Sequence, residues 1–315
     1  MKKYFTHKAY ERKVKNAFLS MNAWKRRGRS RRFLQKVFGA NPQTPPLTLV
    51  DIGASEYLPK HWTGLGANLR VIGFEPDEGA YNDLVRAAKA KKEEKTFTYR
   101  NSALHNKTGE ADFFITRKQM VSSMLRPNRT FLNEFPRVDR FDILKTLKLK
   151  TDTLDNALSF EDIDFIKIDT QGSELFIFQG ATETLRKKAL GVEVEVEFAK
   201  VYENQPLFGE VDQLLREAGF MLLDFVDIAR WARKNAGANI PGCKSQVIFA
   251  NALYIKGKDS LFGESHVDKA KLLRIVAICV LYQCFDYAAA LLQEGLEKNL
   301  VSDEEYQRIL NAMLR

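Results

Sequence analysis

From Leu47 onward, short apolar runs alternate with stretches of helical period. Leu47–Ile52 and Leu69–Phe74 are runs of strand length, and Glu78–Lys91 reads as a helix. Thr96–Asn101 and Ala111–Thr116 read as strands, with Asn106-Lys107-Thr108-Gly109 turning between them. Residues 117–142 carry no clear period and read as a long connection, which is uncommon unless functional or mobile. Phe165–Asp169 reads as a buried strand, with a helix from about Ser173. Val192–Phe198 is a strand, Gly209–Ala218 a helix, and Met221–Val226 and Gln246–Ile255 are the last strands. Strands alternating with helices of this length imply βαβ crossovers. The predicted fold is therefore α/β, a Rossmann-like, doubly wound and mostly parallel sheet.

The ends of the chain differ from this body. Residues 266–298 and 303–314 read as helices, the second behind a Ser302-Asp303-Glu304-Glu305 capping box. This tail suits a lid, a small bundle or a homo-oligomer contact. At the other end, Asn41-Pro42-Gln43-Thr44-Pro45-Pro46 should stop any helix. Before it, Tyr10, Val14, Phe18 and Met21 recur at helical spacing, and Lys25–Arg32 is densely basic ahead of Phe33, Leu34, Val37 and Phe38. The expected organisation is a basic helical arm with its hinge over 1–46, an α/β body over 47–257 and a helical extension over 258–315.

Charge follows the same division. The net charge is +9 over 315 residues, but residues 1–46 hold 13 Lys/Arg and one acid, Glu11. The remaining 36 bases and 39 acids leave residues 47–315 at −3. A body of this sign argues against nucleic acid bound over a broad basic face. A basic amphipathic arm can lie on an anionic membrane; a helix docked on the body is the competing reading for the arm. The three cysteines, Cys243, Cys279 and Cys284, form no CxxC pair, which excludes the usual zinc spacings and suits reduced thiols. No signal-peptide pattern and no spanning apolar run is present. The expected location is cytoplasmic, with peripheral contact at the inner face of the membrane through residues 1–40.

Ligands in an open parallel sheet bind beyond the carboxyl ends of the strands. The first strand ends in Asp51-Ile52-Gly53-Ala54-Ser55 and the second in Glu75-Pro76. An acid there can accept both hydroxyls of a ribose, and a glycine lets the backbone pass closely by a ligand. Asn101-Ser102-Ala103 closes the third strand, where an adenine would lie, and Asn or Ser can bond a base edge. There is no G-x-G-x-x-G for a pyrophosphate and no Walker lysine motif. S-adenosylmethionine (SAM), which has a ribose and adenine but no phosphate, fits what remains. The candidate cofactor residues are Asp51, Gly53, Ala54, Ser55, Glu75, Pro76, Asn101, Ser102 and Ala103.

Several segments together resemble the FkbM-type SAM-dependent methyltransferases. They are Val50–Ala54, Gly73-Phe74-Glu75-Pro76, Ser102-Ala103-Leu104, Ser122-Ser123, Asp164–Leu175, Val194–Phe198 and Tyr202–Phe208. One departure is Glu56-Tyr57-Leu58-Pro59, where the family usually carries another glycine. The resemblance runs from about Leu49 to Ile255. It implies the seven-stranded class I methyltransferase sheet, SAM as cofactor, and methyl transfer to a hydroxyl of a sugar, lipid-linked glycan or secondary metabolite.

Within the last strands, Lys167 and Asp169 share one face, as do Glu193, Glu195 and Glu197. A buried charge must be paired, so Lys167 is expected to face Glu193 or Glu195. Asp169 and Glu197 lie at the carboxyl ends and are the candidates to take the acceptor's proton, Asp169 first. Glu174 favours the helix N-terminus electrostatically, and His61 and His105 are weaker candidates. No spacing requires a metal. Two other readings stay open: a catalytically reduced binding or assembly module, and a nucleic-acid methyltransferase. The second lacks an Asn/Asp-Pro-Pro-aromatic motif and a strand-end cysteine.

Overall fold

The computed structural model describes residues 46–54, 58–234, 244–263 and 267–314. The basic helical reading of the arm, and Ser55 and Cys243, lie outside the described residues. The strands are β1 (Leu47–Ile52), β2 (Leu69–Phe74), β3 (Phe97–Arg100), β4 (Ala103–Leu104), β5 (Gly109–Thr116), β6 (Ile143–Asp152), β7 (Phe165–Ile168), β8 (Gly191–Glu197), β9 (Phe220–Trp231) and β10 (Gln246–Lys256). Seven of them form one sheet in the order β3-β2-β1-β7-β8-β10-β9. All pairings on the β3 to β8 side are parallel, and β10 runs antiparallel to both β8 and β9. This is the Rossmann-like, mostly parallel seven-stranded sheet expected from the sequence.

Helices on the sheet explain why its central strands read as continuous apolar runs. Val50, Ile52, Ile72, Phe74, Ile166, Ile168, Val192, Val194 and Val196 are buried in one core with Leu175, Phe178, Val211 and Leu215 from the crossover helices. Between β2 and β3, the helix Glu78–Lys91 starts where the Asp77 carboxylate accepts the Ala80 N–H at 2.8 Å. It stops at Lys92, which adopts the left-handed conformation. The hinge of the βαβ plan at β7 is pinned at its start, where Thr48 N–H donates to Asp164 Oδ2 at 2.8 Å.

Two departures within the sheets have physical causes. A ten-residue strand, β6, follows the long connection and pairs antiparallel with β5 and parallel with β4 in a separate three-stranded sheet. Its inward positions Leu147, Leu149 and Thr151 alternate with exposed Lys148 and Lys150, a period-two signal interrupted upstream by exposed Leu144. The connection 117–142 is thus the loop of a β5–β6 hairpin. β9 also runs five residues beyond its expected end at Val226, to Trp231, because β10 supplies partners along its whole length.

Contacts divide the chain into two compact units. Pro46–Tyr57 and Leu69–His266 form the sheet unit, and Leu58–Asn68 groups with Val267–Arg315. In the second, the expected helix over 266–298 is broken into Lys269–Leu281 and Phe285–Glu297, at a turn where Gln283 has φ 66°. Gly295 lets the two helices close, since a Cβ there would lie 2.2 Å from Leu272 Cδ2. The last helix, Asp303–Leu314, carries the expected capping box: Glu305 N–H donates to Ser302 Oγ at 3.3 Å and Ser302 N–H to Glu305 Oε2 at 3.2 Å. Trp62 is fully buried and donates its indole N–H to Tyr282 Oη at 3.0 Å. Trp62→Ala is expected to cost about 3–5 kcal/mol, read as a lowered unfolding midpoint, whereas Trp62→Phe loses only about 1 kcal/mol for the hydrogen bond. No described helix is long and apolar enough to cross a membrane.

Candidate active site

The crevice lies where β1, β2, β7 and β8 end. At the end of β1, the Gly53 and Ala54 N–H groups both donate to Phe74 O, at 3.0 and 3.1 Å. This folds the loop across the end of β2. Gly53 has φ +80°, and a Cβ there would come within 2.0 Å of the Asp169 carbonyl oxygen. Only glycine permits this approach between the ends of β1 and β7.

At the end of β2, Glu75 is buried, and its Oε1 accepts the Asp77 N–H at 2.8 Å. Among the described residues no group holds Oε2. Burial pushes the Glu75 carboxyl up to about 7; the Asp77 N–H pulls it down, while the Asp77 and Asp51 carboxylates push it further up. Pro76 follows it, half-buried. Asn101 is exposed, and its amide donates to Glu75 O at 2.9 Å and Pro76 O at 3.2 Å. Its side-chain N–H groups therefore brace the β2 end. Ser102 N–H turns back to Arg100 O at 3.1 Å, and Ala103 opens β4, paired with Thr151.

Deeper in the sheet, Lys167 bridges to Asp51 on β1. Its Nζ lies 3.2 Å from Asp51 Oδ1. β7 sits between β1 and β8, so the register places Asp51, Lys167 and Glu193 side by side across three strands. The sequence expectation considered only the β8 neighbour, and Glu193 does lie opposite Lys167. Burial pulls the Lys167 ammonium down, but Asp51, Asp169 and Glu193 more than offset this and hold it above its ordinary value. Removing one member of so enclosed a pair leaves a costly lone charge.

The turn after β7 gathers most of the polar groups. Glu174 is buried and accepts Thr170 N–H at 2.7 Å and Thr170 Oγ–H at 3.0 Å through Oε1. It also closes the Asp169–Glu174 turn ahead of the short helix Glu174–Gln179. Burial raises the Glu174 carboxyl to about 7; its own backbone N–H pulls it down, Asp169 pushes it up, and the Thr170 and Gly172 N–H groups pull it down further. Asp169 is half-buried at the mouth. Glu195 and Glu197 are buried, and desolvation followed by neighbouring carboxylates drives both well above the ordinary range. The connection 117–142 closes over this end: Ser123 Oγ–H donates to Gln171 O at 2.8 Å, and Tyr202 Oη–H to Val121 O at 2.9 Å.

The structure thus brings Asp51, Gly53, Ala54, Glu75, Asp169 and the β8 glutamates to one edge of the sheet. Of the two candidate bases, Asp169 is accessible and Glu197 is enclosed. His61 packs edge-on against Tyr282, 4.9 Å between centroids, and His105 stacks on Phe176 at 5.4 Å. Gln171 and Tyr202 fall within the family segments, and their residue types alone assign them no role. They come together only through the fold, 31 residues apart. Among the described residues no group of three His, Cys, Asp or Glu side chains could hold a metal ion.

The profile described as Methyltransferase FkbM domain matches residues 46–222. No curated protein sequence matches the chain. Similar solved structures include precorrin-6y C5,15-methyltransferase from Geobacter metallireducens GS-15, at 11% identity and TM-score 0.35, covering 71% of this chain and 87% of that one. Magnesium protoporphyrin IX methyltransferase from Synechocystis PCC 6803, with bound SAM, is 9% identical at TM-score 0.34, covering 71% and 79%. A SAM-dependent methyltransferase from Aquifex aeolicus is 13% identical at TM-score 0.32, covering 70% and 89%. Scores this low add no argument, and the assignment rests on the family match. With more than half its length matched, and with a close glycine turn and a buried acid at successive strand ends, this chain belongs to the FkbM methyltransferase family and uses S-adenosylmethionine as its cofactor.

Proposed function

We propose that this methyltransferase methylates a hydroxyl oxygen on a sugar, glycan, lipid-linked or secondary-metabolite acceptor. The observation that carries this reading is the half-buried Asp169 carboxylate at the mouth of the crevice, backed by buried Glu195 and Glu197. A hydroxyl must lose its proton as it attacks, and a carboxylate in reach can take it. The cofactor supplies an electrophilic methyl group on a sulfonium. Glu75 Oε2 would accept from the ribose, the Gly53–Ala54 turn would let the backbone approach, and Asn101 and Ser102 would face the base. The protein's own task is then positioning the acceptor oxygen in line and holding its proton at Asp169 Oδ2.

Residues 1–40, net positive and amphipathic, fit an enzyme held at an anionic membrane beside a lipid-linked acceptor. Deleting them should lower liposome binding while leaving cofactor affinity intact.

Calorimetry with S-adenosylhomocysteine tests the cofactor half of the reading, and radiolabelled methyl transfer to a panel of glycans and lipid-linked glycans tests the acceptor half. Ribose hydroxyls donate to the ionised carboxylate, so a ligand selects the deprotonated form of Glu75. With Glu75 raised to about 7, affinity should rise as pH increases through 7 and level off above it. Below 7 it should fall by up to about tenfold per pH unit, because a proton must leave on binding. Glu75→Ala should weaken binding and abolish the slope. A flat wild-type profile, or a Glu75→Ala enzyme of unchanged affinity, would remove the ribose assignment.

A further inference from the structure

Gln171 sits in the turn between β7 and the helix Glu174–Gln179 with φ +59°, a conformation few non-glycine residues adopt. Its Nε2 donates to two carboxylates at once, Asp169 Oδ1 at 2.7 Å and Glu195 Oε1 at 2.9 Å. Its Oε1 accepts from Tyr202 Oη at 3.2 Å, and its backbone carbonyl accepts from Ser123 Oγ at 2.8 Å. Tyr202 Oη also reaches Val121 O, and Ser123 Oγ accepts the Leu125 N–H at 2.9 Å. One residue, through its side chain and its carbonyl, therefore ties the end of β7, the end of β8, the 199–206 loop and the connection 117–142. Backbone strain at a position enclosed by so many bonds is usual at functional turns.

We infer that Gln171 is a positioning residue for methyl transfer, fixing the Asp169 carboxylate so that Oδ2 alone faces the acceptor hydroxyl. The amide is suited to this because it donates to both acids while taking no charge itself. A carboxylate at 171 would add a third negative group against Asp169 and Glu195, and an apolar side chain would leave Asp169 free to turn. The two carboxylate oxygens set which way the amide faces: they lie 2.7 and 2.9 Å from Nε2, the donor end, which turns Oε1 towards Tyr202. The groups that face this pair from the surrounding elements are Lys167, Glu174, Glu195, Glu197 and Tyr202. Lys167 is the cation among them. The inference rests on the methyltransferase reading of the site.

The test compares the full-length wild type with Gln171→Leu and Gln171→Glu. Crystal structures with S-adenosylhomocysteine, calorimetry with the same compound, and turnover on the panel hydroxyls at saturating SAM are the readouts. In Gln171→Leu the Asp169 carboxylate should leave its position by about 1 Å, and kcat should fall about tenfold to a hundredfold. Its affinity for S-adenosylhomocysteine should stay within about twofold, a difference of under half a kcal/mol. In Gln171→Glu the lost donor returns only when the new carboxyl is protonated, so its kcat optimum should move to lower pH than the wild type, while Gln171→Leu shows no such move. A role confined to stability would lower both variants' unfolding midpoints without moving the optimum. If the wild type binds the cofactor probe and Asp169 stays in place in Gln171→Leu, the inference falls alone. If the wild type does not bind the probe, the reading beneath it falls as well.

Discussion

A Gly53→Ala enzyme should lose at least tenfold in affinity for S-adenosylhomocysteine and unfold at a lower temperature. The added methyl would start 2.0 Å from Asp169 O and 3.0 Å from Asp169 C, both backbone atoms. Neither can rotate away, so the ends of β1 and β7 must separate. The left-handed backbone at φ +80° adds about 1–2 kcal/mol of strain for a residue with a side chain. Displacing Asp169 also moves the turn that holds Gln171 and Glu174. Gly209→Ala is the matched control, because a Cβ there meets nothing within 4 Å. Calorimetry on the two variants separates them: equal affinities would show that the β1–β7 approach has no part in cofactor binding.

The second large effect concerns the proton. Asp169→Asn keeps the side-chain shape, and its Oδ1 can still accept from Gln171 Nε2. It cannot take a proton from an acceptor hydroxyl, so kcat should fall about 10²–10⁴-fold, with cofactor affinity little changed. Glu197→Gln should behave differently, because that carboxyl is enclosed beside Gln205 and driven up by burial and by Glu174, Glu195 and Asp169. A carboxyl whose folded value is raised stabilises the protein below its unfolded value, and that stability drains away as pH rises through the folded value. Glu197→Gln should therefore flatten the loss of the unfolding midpoint as pH rises and cost less than tenfold in kcat. Reversal of the two kcat effects would make Glu197 the base.

How much of this was legible in the chain depends on how local each signal is. β1, β2 and the helix Glu78–Lys91 fall where the apolar runs and the helical period place them. The Gly53 and Glu75 pair could be read because strand ends in a parallel sheet face one crevice. Lys167 faces Glu193 as its place on β7 predicts, and the close bridge to Asp51 on the other flank is what the sequence does not show. A central strand has two flanks, and alternation along β7 cannot say which flank supplies the counter-ion. Asn101 was assigned to a base edge from its type and place, and the structure adds that its amide also buttresses Glu75 and Pro76. The Gln171, Tyr202 and Ser123 network had no sequence signal as a unit, since its members lie 31 and 48 residues apart and each alone reads as a polar loop residue. β6 was readable from Leu147, Lys148, Leu149 and Lys150, and was lost because the unpatterned stretch before it gave no boundary.

The insertion of β10 between β8 and β9 has a consequence for synthesis. β9 is complete at Trp231, yet it pairs with no strand of the sheet except β10. A nascent chain that has emerged only as far as β9 therefore carries an open flank on β8 and a twelve-residue strand with nothing to pair with. Unpaired strand edges recruit other chains. The late strand, arriving after residue 245, is what seals both. Slow ribosomal passage through 246–256 would prolong that exposure, and truncations just upstream of Gln246 should aggregate, whereas losses confined to the end of the last helix should leave the sheet complete.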